Sequence, residues 1–321
     1  MSMRKAVLPA IALLGAVVAV VATTGVTAAR TSDAPTTTAP RWEPAGHDMR
    51  SGISGLAVVS RSGSTYRTLI ARDNKLPGEN RIARLTYRPG GSGRATVVQP
   101  LDWRGDAEPI DLEALEAVPG TSDEYLAVAS RGLIYHLEVT DDGNAAEVRD
   151  LSPLPAIGQG DNFESLTLIS RHGRLVAVWA DRGEGEGRAA TLYAAPLSFN
   201  QYGESVFGAV TKAVYRAPYP TGDVRHVSDL SVTDSGRLLI ASASDDGDDG
   251  PFDSAVSDAG SVSLDRSGQV RLTVAKSPKV LRKFKDHKVE ALDCVSGSGV
   301  AVLGTDDENS GGGVTTARIC D

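Results

Sequence analysis

The chain is predicted to fold as an all-β propeller of five four-stranded blades, with a six-bladed ring carrying one degenerate blade as the rival count. Three observations lead there. A short apolar motif recurs five times along the sequence. Each copy is followed by further short strand-like runs separated by polar turns. Beyond the N-terminal apolar segment, no long stretch shows helical periodicity with caps. The chain has 321 residues, 41% hydrophobic but only 5% aromatic, so its core rests on Val, Leu, Ala and Ile. Those residues suit pleated, half-buried surfaces.

The first element is a leader. Arg4 and Lys5 precede an apolar run from Ala6 to Ala22, followed by "TTGVTAAR". A basic start, an apolar centre and small residues at Ala28 and Ala29 make residues 1–29 a signal peptide. The run is also just long enough to serve as an uncleaved membrane anchor. No Cys follows it, which excludes a lipoprotein anchor. Residues 30–41, within "RTSDAPTTTAPRWEP", are rich in Thr, Pro and Ala. Such a segment cannot bury enough apolar area to order itself and reads as a linker. The propeller then occupies residues 42–321.

The repeat sets the blades. "GISGLAVVS", "IDLEALEAV", "NFESLTLIS", "HVSDLSVTD" and "KVEALDCVS" align on Leu56, Leu115, Leu166, Leu230 and Leu292, which lie 51 to 64 residues apart. Second runs follow as "YRTLIARD", "YLAVASR", "RLVAVWADR", "RLLIASASDD" and "VAVLGTDDE". Third and fourth runs follow in most copies, such as "RIARLTY" and "RATVVQPL". Four short antiparallel strands per repeat of this length form a propeller blade. Only 29 residues remain after Leu292, enough for three strands. A ring avoids open edges, so the segment from Trp42 to Met49 is expected to supply the missing outer strand.

The two cysteines, Cys294 and Cys320, both lie in the last repeat. In an oxidising compartment they form one disulfide; the alternative is two buried thiols. The net charge is −8, and loss of Arg4 and Lys5 with the leader makes it −10. An acidic exported chain is a poor partner for nucleic acid or anionic lipid and a better one for cations. Membrane contact is expected only through an uncleaved leader, and the chain is expected to be a monomer.

The motif also places the working face. The first strand of each blade lines the channel and begins at one mouth, so Glu113, Glu164 and Glu290 should ring that mouth, with Ser54 and Ser228 between them. Asp111, Asn162, His226 and Lys288 precede the ring residues by two positions. Loops should add Asp73, Arg131, Asp181, Asp245 and Asp306. The expected mouth is solvated and poor in clustered Lys and Arg.

Three converging carboxylates repel unless neutralised. A hard cation, calcium, bound by Glu113, Glu164, Glu290 and Asp111 would do so. The competing structural reading has each Glu accept backbone N–H bonds from the next blade. A third has them act catalytically. "DDGDDG" at Asp245 fails the EF-hand pattern, since Gly247 and Val256 stand at its third and twelfth positions. It reads as a flexible acidic loop, as do "ADRGEGEG" and "TDDENSGGG". Nucleophile-elbow, zincin, phosphate-loop and C-x-x-C motifs are absent. His226 and His287, each just before a first strand, are the candidate general bases. His136 and His172 read as structural or merely solvated.

The recurring "DLEAL", "NFESL" and "KVEAL" starts, with "LLIASASDD" and "VAVLGTDDE" behind them, resemble the esterase-like phytase domain and related exported bacterial propellers. The resemblance covers about residues 50 to 321. It implies an acidic, calcium-binding channel mouth and hydrolysis of a phosphate or carboxylic ester. Glu113, Glu164 and Glu290 match the motif's Glu, whereas Ser54 and Ser228 depart from it. With no nucleophile–base pair legible, the sequence favours an extracytoplasmic binding scaffold for an envelope ligand. A calcium-dependent hydrolase acting on a small-molecule ester or phosphoester is the alternative.

Overall fold

A computed structural model describes residues 40–90 and 94–321 of the chain. The leader at 1–29 and nearly all of the 30–41 linker lie outside the described residues. Residues Pro40–Asp321 form one unit.

β1 (Glu43–Pro44) comes first. Blade 1 then runs through β2 (Gly55–Ser62), β3 (Thr65–Ala71), β4 (Ile82–Tyr87) and β5 (Thr96–Arg104). Blade 2 holds β6 (Leu112–Ala117), β7 (Glu124–Ala129), β8 (Leu133–Val139) and β9 (Ala145–Pro153). Blade 3 holds β10 (Phe163–Arg171), β11 (Arg174–Asp181), β12 (Ala190–Phe199), β13 (Ser205–Phe207) and β14 (Thr211–Tyr215). Blade 4 holds β15 (Val224–Val232), β16 (Arg237–Ser244), β17 (Asp253–Leu264) and β18 (Val270–Lys285). β19 (Val289–Val295), β20 (Val300–Thr305) and β21 (Gly313–Arg318) form blade 5. All pairings within blades are antiparallel, and a short parallel pairing of β5 with β9 joins the outer edges of blades 1 and 2.

Blade 5 is completed from the other end of the chain. β1 pairs with β21, Glu43 opposite Val314 and Pro44 opposite Gly313. The Thr315 hydroxyl donates to the Arg41 carbonyl at 2.8 Å, and the Trp42 ring packs edge-on against Phe284. Cys294 and Cys320 form a disulfide that ties the C-terminus to the inner strand of the same blade. The expected closure and crosslink are both present.

The inner strands β2, β6, β10, β15 and β19 pack in that order around the axis and back to β2. Five apolar clusters sit between them, one at each blade interface. Ile53, Leu56 and Ile70 of blade 1, for example, meet Ala291, Val302 and Val314 of blade 5. The cluster between blades 3 and 4 joins Val176, Val178 and Leu192 to Leu230, Leu238 and Ile240. Five interfaces for five blades settle the blade count. Truncating one of these buried leucines to Ala should cost about 2–5 kcal/mol. No helix among the described residues is long and apolar enough to cross a membrane.

Two details were not expected. Blade 3 carries two segments, β13 and β14, against different ends of β12. The β17–β18 hairpin pairs strands of 12 and 16 residues, longer than those of the other blades, through register shifts at Val256/Ser257 and Asp258/Gly260.

Candidate functional site

The ring carboxylates owe their direction to β-bulges. The β6–β7 register skips from Leu112 to Ala114, β10–β11 from Phe163 to Ser165, and β19–β20 from Val289 to Ala291. The skipped residues are Glu113, Glu164 and Glu290. A bulge adds one residue to a strand and re-aims its side chain, so an acidic residue can enter an apolar strand without entering a blade interface. In blade 4 the shift between Arg225 and Asp229 spans Ser228 in the same way. The Ser228 hydroxyl donates to the Val289 carbonyl of the next blade at 2.7 Å, whereas the buried Ser54 hydroxyl has no partner.

The mouth is not the solvated, cation-poor pore that the sequence suggests. Glu164 and Glu290 are each 2% exposed and Glu113 is 8% exposed. Arg225 Nη1 lies 2.8 Å from Glu290 Oε1 and 3.5 Å from Glu164 Oε2. Its Nη2 reaches Asp245 Oδ1 at 3.0 Å. Arg182 Nη1 sits 3.6 Å from Glu164 Oε1. Lys288 Nζ lies 3.1 Å from Glu290 Oε1 and also bonds Glu308. Two of the three ring glutamates are therefore neutralised by side chains of blades 3, 4 and 5. Nor do the ring glutamates take up backbone N–H groups of the next blade, as the stitching reading expected.

Glu113 stands apart. It forms no ion pair among the described residues, and it lies among carboxylates: ligand oxygens of Asp73, Asp111 and Glu113 lie within 4.8 Å of one another. Lys75 is the nearby cation, 2.8 Å from Asp111 Oδ1 and 3.8 Å from Asp73 Oδ2. Asp111 adopts a left-handed conformation, φ 67°, and its Oδ2 accepts the Ser130 hydroxyl at 2.5 Å. The structure thus brings Asp111 and Glu113 together with Asp73, and sets Glu164 and Glu290 in a separate basic network.

The two groups remain close enough to feel each other's charge. Burial, then the Glu164 and Asp111 charges, pushes the Glu113 carboxyl well above the usual range. Burial and the Glu290 charge, partly offset by Lys75, raise Asp73 to about 6. Burial raises Glu164 to about 7, with Arg225 opposing the shift and Glu290 adding to it. Asp111 moves the other way, since Lys75 and Ser130 outweigh its burial. Asp245 is also held down despite burial, by Arg225 and Arg182. Arg225 and Lys288 stay firmly charged against their own burial, held by the acids around them.

The remaining expected residues have other roles. The buried His226 ring accepts the Ala217 N–H at Nδ1 and contacts the Gly185 carbonyl at 2.8 Å through Nε2. His287 Nδ1 contacts Asp307 Oδ2 at 2.8 Å, and its ring lies 4.7 Å from that of Trp42. Both nitrogens of His226 are thus engaged in holding loops. His136 is fixed between Glu124 and the Gly203 carbonyl, and His172 occupies a left-handed turn position. Asp181 is buried and accepts two contacts from Arg188, at 2.7 and 2.9 Å. Asn162 donates its backbone N–H to Asp181 Oδ1, and Arg131 is exposed. The Thr305–Gly313 turn, expected as a solvated acidic loop, instead buries Asp306 and Asp307. Burial and the Glu290 charge push Asp306 well up, and Asp307 accepts the Lys288 N–H at 2.7 Å.

A second polar layer lies three residues further along the inner strands. Glu116 accepts the Thr167 hydroxyl at 2.9 Å, and Asp293 accepts the Val58 N–H at 2.7 Å. Ser231 accepts the Cys294 N–H at 3.2 Å; one residue past the ring position of Ser228, buried Asp229 accepts the Leu292 N–H at 2.6 Å. These side chains, not the ring glutamates, stitch blade to blade. Glu116, Thr167, Ser231 and Asp293 line a cavity of about 370 Å³. Burial pushes Glu116 and Asp229 well up and Asp293 to about 7. The signal was available: Glu116 and Asp293 occupy the same offset from Glu113 and Glu290.

No protein-family model and no curated protein matches the chain. Solved structures that resemble it include the following three. One is a mutant of the GH43 protein BlXynB from Bacillus licheniformis, with TM-score 0.41 and 13% identity, covering 71% of this chain and 44% of that one. The chain therefore spans less than half the length of that protein. The second is a thermostable family-43 glycoside hydrolase, with TM-score 0.47, 11% identity and coverage of 87% and 91%. The third is an α-L-arabinofuranosidase, CtGH43, from Clostridium thermocellum ATCC 27405, with TM-score 0.43, 10% identity and coverage of 78% and 80%. Likenesses this distant carry no argument about what the chain does; its own residues must supply that.

Proposed function

We propose that the chain is an exported β-propeller that serves as an extracytoplasmic binding scaffold and holds a calcium ion at its channel mouth through Asp73, Asp111 and Glu113. The observation that supports this most is the oxygen cluster itself, three carboxylates within 4.8 Å of one another. Its only direct counter-charge among the described residues is Lys75, whose side chain is 58% exposed. An all-oxygen set of carboxylates suits a hard cation and offers nothing to a thiophilic one. The ion would supply charge neutralisation at the place where Glu113 is buried beside like charges. Calcium should then raise the melting temperature by mass action and chelator should lower it. Lys75→Met should strengthen the calcium response by removing the competing ammonium. No response in either protein at millimolar calcium would end this reading.

A second reading is hydrolysis of an ester or phosphoester, as the phytase-like motif resemblance implies. One observation favours it: Glu164 is held near 7 while Asp245, touching the same Arg225, is kept ionised. Carboxyls pushed apart in this way can divide the roles of acid and base. The same division serves glycoside hydrolysis. A panel of esters, phosphoesters and glycosides, run with and without calcium, tests it. Turnover lost in Glu164→Gln would support it, and an inert parent protein would remove it.

A further inference from the structure

A separate pocket of about 420 Å³ lies between the chain-closing segment, residues 45–51, and the blade 1 loop, residues 72–80. At its wall stands Arg72, only 8% exposed. Its Nη1 donates to the Arg50 carbonyl at 2.5 Å. Its Nε is buried with no hydrogen-bond partner, and Nη2 has none among the described residues. Asp48 and Asp306 are near enough to favour its charge, but neither forms an ion pair with it. Burial outweighs both and pulls the Arg72 pKa down. A buried charge left without a partner is costly, and proteins seldom keep one without use.

The two unbonded nitrogens share one edge of the guanidinium. Nε–H and Nη2–H point the same way and form the fork that grips a carboxylate or phosphate with two parallel bonds. The opposite corner of the guanidinium is held by the Arg50 carbonyl, which also accepts Asn74 Nδ2 at 3.2 Å. Asn74 Nδ2 in turn bonds the Asn80 carbonyl at 2.6 Å, so the fork is fixed in direction. The pocket's acids are already engaged: Asp48 accepts the Ser51 hydroxyl at 3.1 Å, and Glu79 accepts the Leu76 N–H at 2.9 Å. Arg50 and His47 add further donors to the lining.

We propose that this pocket binds a small oxyanion, a carboxylate or a phosphate group, on the free edge of Arg72. It is a different site from the cation cluster, and either can stand without the other. The test titrates inorganic phosphate and acetate separately into the full chain at constant ionic strength, followed by calorimetry and amide NMR. At least one anion should bind saturably at one site, with shifts centred on residues 45–51 and 72–80. Stronger phosphate binding would identify a phosphate-bearing ligand, and stronger acetate binding a carboxylate; either supports the site. Arg72→Lys keeps the charge but loses the fork, and should weaken binding at least about tenfold. Arg50→Gln alters an exposed side chain, leaves the fold intact and should weaken binding by a smaller factor. No saturable binding of either anion up to about 50 mM would overturn the proposal, as would binding unchanged in Arg72→Lys or shifts confined to the channel mouth.

Discussion

Replacing Asp293 by Asn offers a test of the lower polar layer whose size follows from the structure. Asp293 is half-buried beside the lower cavity, and its carboxyl rises from 3.8 to about 7. A folded pKa above the unfolded one means that the stabilising contribution is complete below about pH 4 and lost as pH climbs through about 7. Roughly three pKa units correspond to about 4 kcal/mol over the whole range, and about 2.5 kcal/mol of this falls between about pH 5 and pH 8. Asn keeps the shape and an oxygen acceptor for the Val58 N–H but does not titrate. The stability of Asp293→Asn relative to the parent should therefore improve by about 2.5 kcal/mol between about pH 5 and pH 8. At about 2 °C per kcal/mol for a domain of this size, the melting-temperature difference should move by about 5 °C in the variant's favour. Calorimetric melts of both proteins across that range measure it directly. Carboxyls outside this layer titrate equally in both proteins and cancel, whereas Glu116 and Asp229, which the Asp293 charge helps to push up, are relieved of it in the variant and move the difference in the same direction. A difference that stays constant with pH would refute the assignment of a buried, titrating carboxyl at this position.

Three further outcomes follow from the same structure. Deleting residues 42–50 removes β1 and Trp42, so the whole propeller should melt at lower temperature; an unchanged melt would sink the closure. Replacing Cys294 and Cys320 by Ser should cost about 3–4 kcal/mol, given their separation of 26 residues, as read by chemical denaturation. Arg225→Met removes the cation shared by Glu164 and Glu290, leaving them Arg182 and Lys288, and should destabilise by about 3 kcal/mol, with partial recovery when Glu164→Gln is added. A double variant no more stable than Arg225→Met alone would show that the ion-pair network does not neutralise Glu164.

The blades were legible because their periodicity is a packing requirement. Leu56, Leu115, Leu166, Leu230 and Leu292 all fill blade interfaces, and a strand that fails to do so cannot join the ring. The closing strand was legible from a count of strands after Leu292. The positions of Glu113, Glu164 and Glu290 were legible too, since acids in apolar strands need an exit. What neutralises them was not. Arg182 comes from a loop, and Arg225 occupies an offset from its motif that no other blade fills with Arg or Lys. Their long side chains cross to neighbouring blades, and such reach leaves no mark in a repeat. The blade-stitching role expected of the glutamates fell to Asp229, next to the ring position of Ser228, and to Asp293, one layer deeper, where backbone N–H groups need acceptors. The three-residue offset shared by Glu116 and Asp293 carried that information.

The central claim is a calcium ion on Asp73, Asp111 and Glu113 and not on the whole glutamate ring. Calcium titration by isothermal calorimetry into the parent protein, Glu113→Gln and Glu164→Gln tests it most directly. One ion should bind the parent and Glu164→Gln, and binding should be lost in Glu113→Gln, whose amide keeps the volume and removes the charge. Binding lost in Glu164→Gln but kept in Glu113→Gln, or absent from the parent at millimolar calcium, would contradict the account.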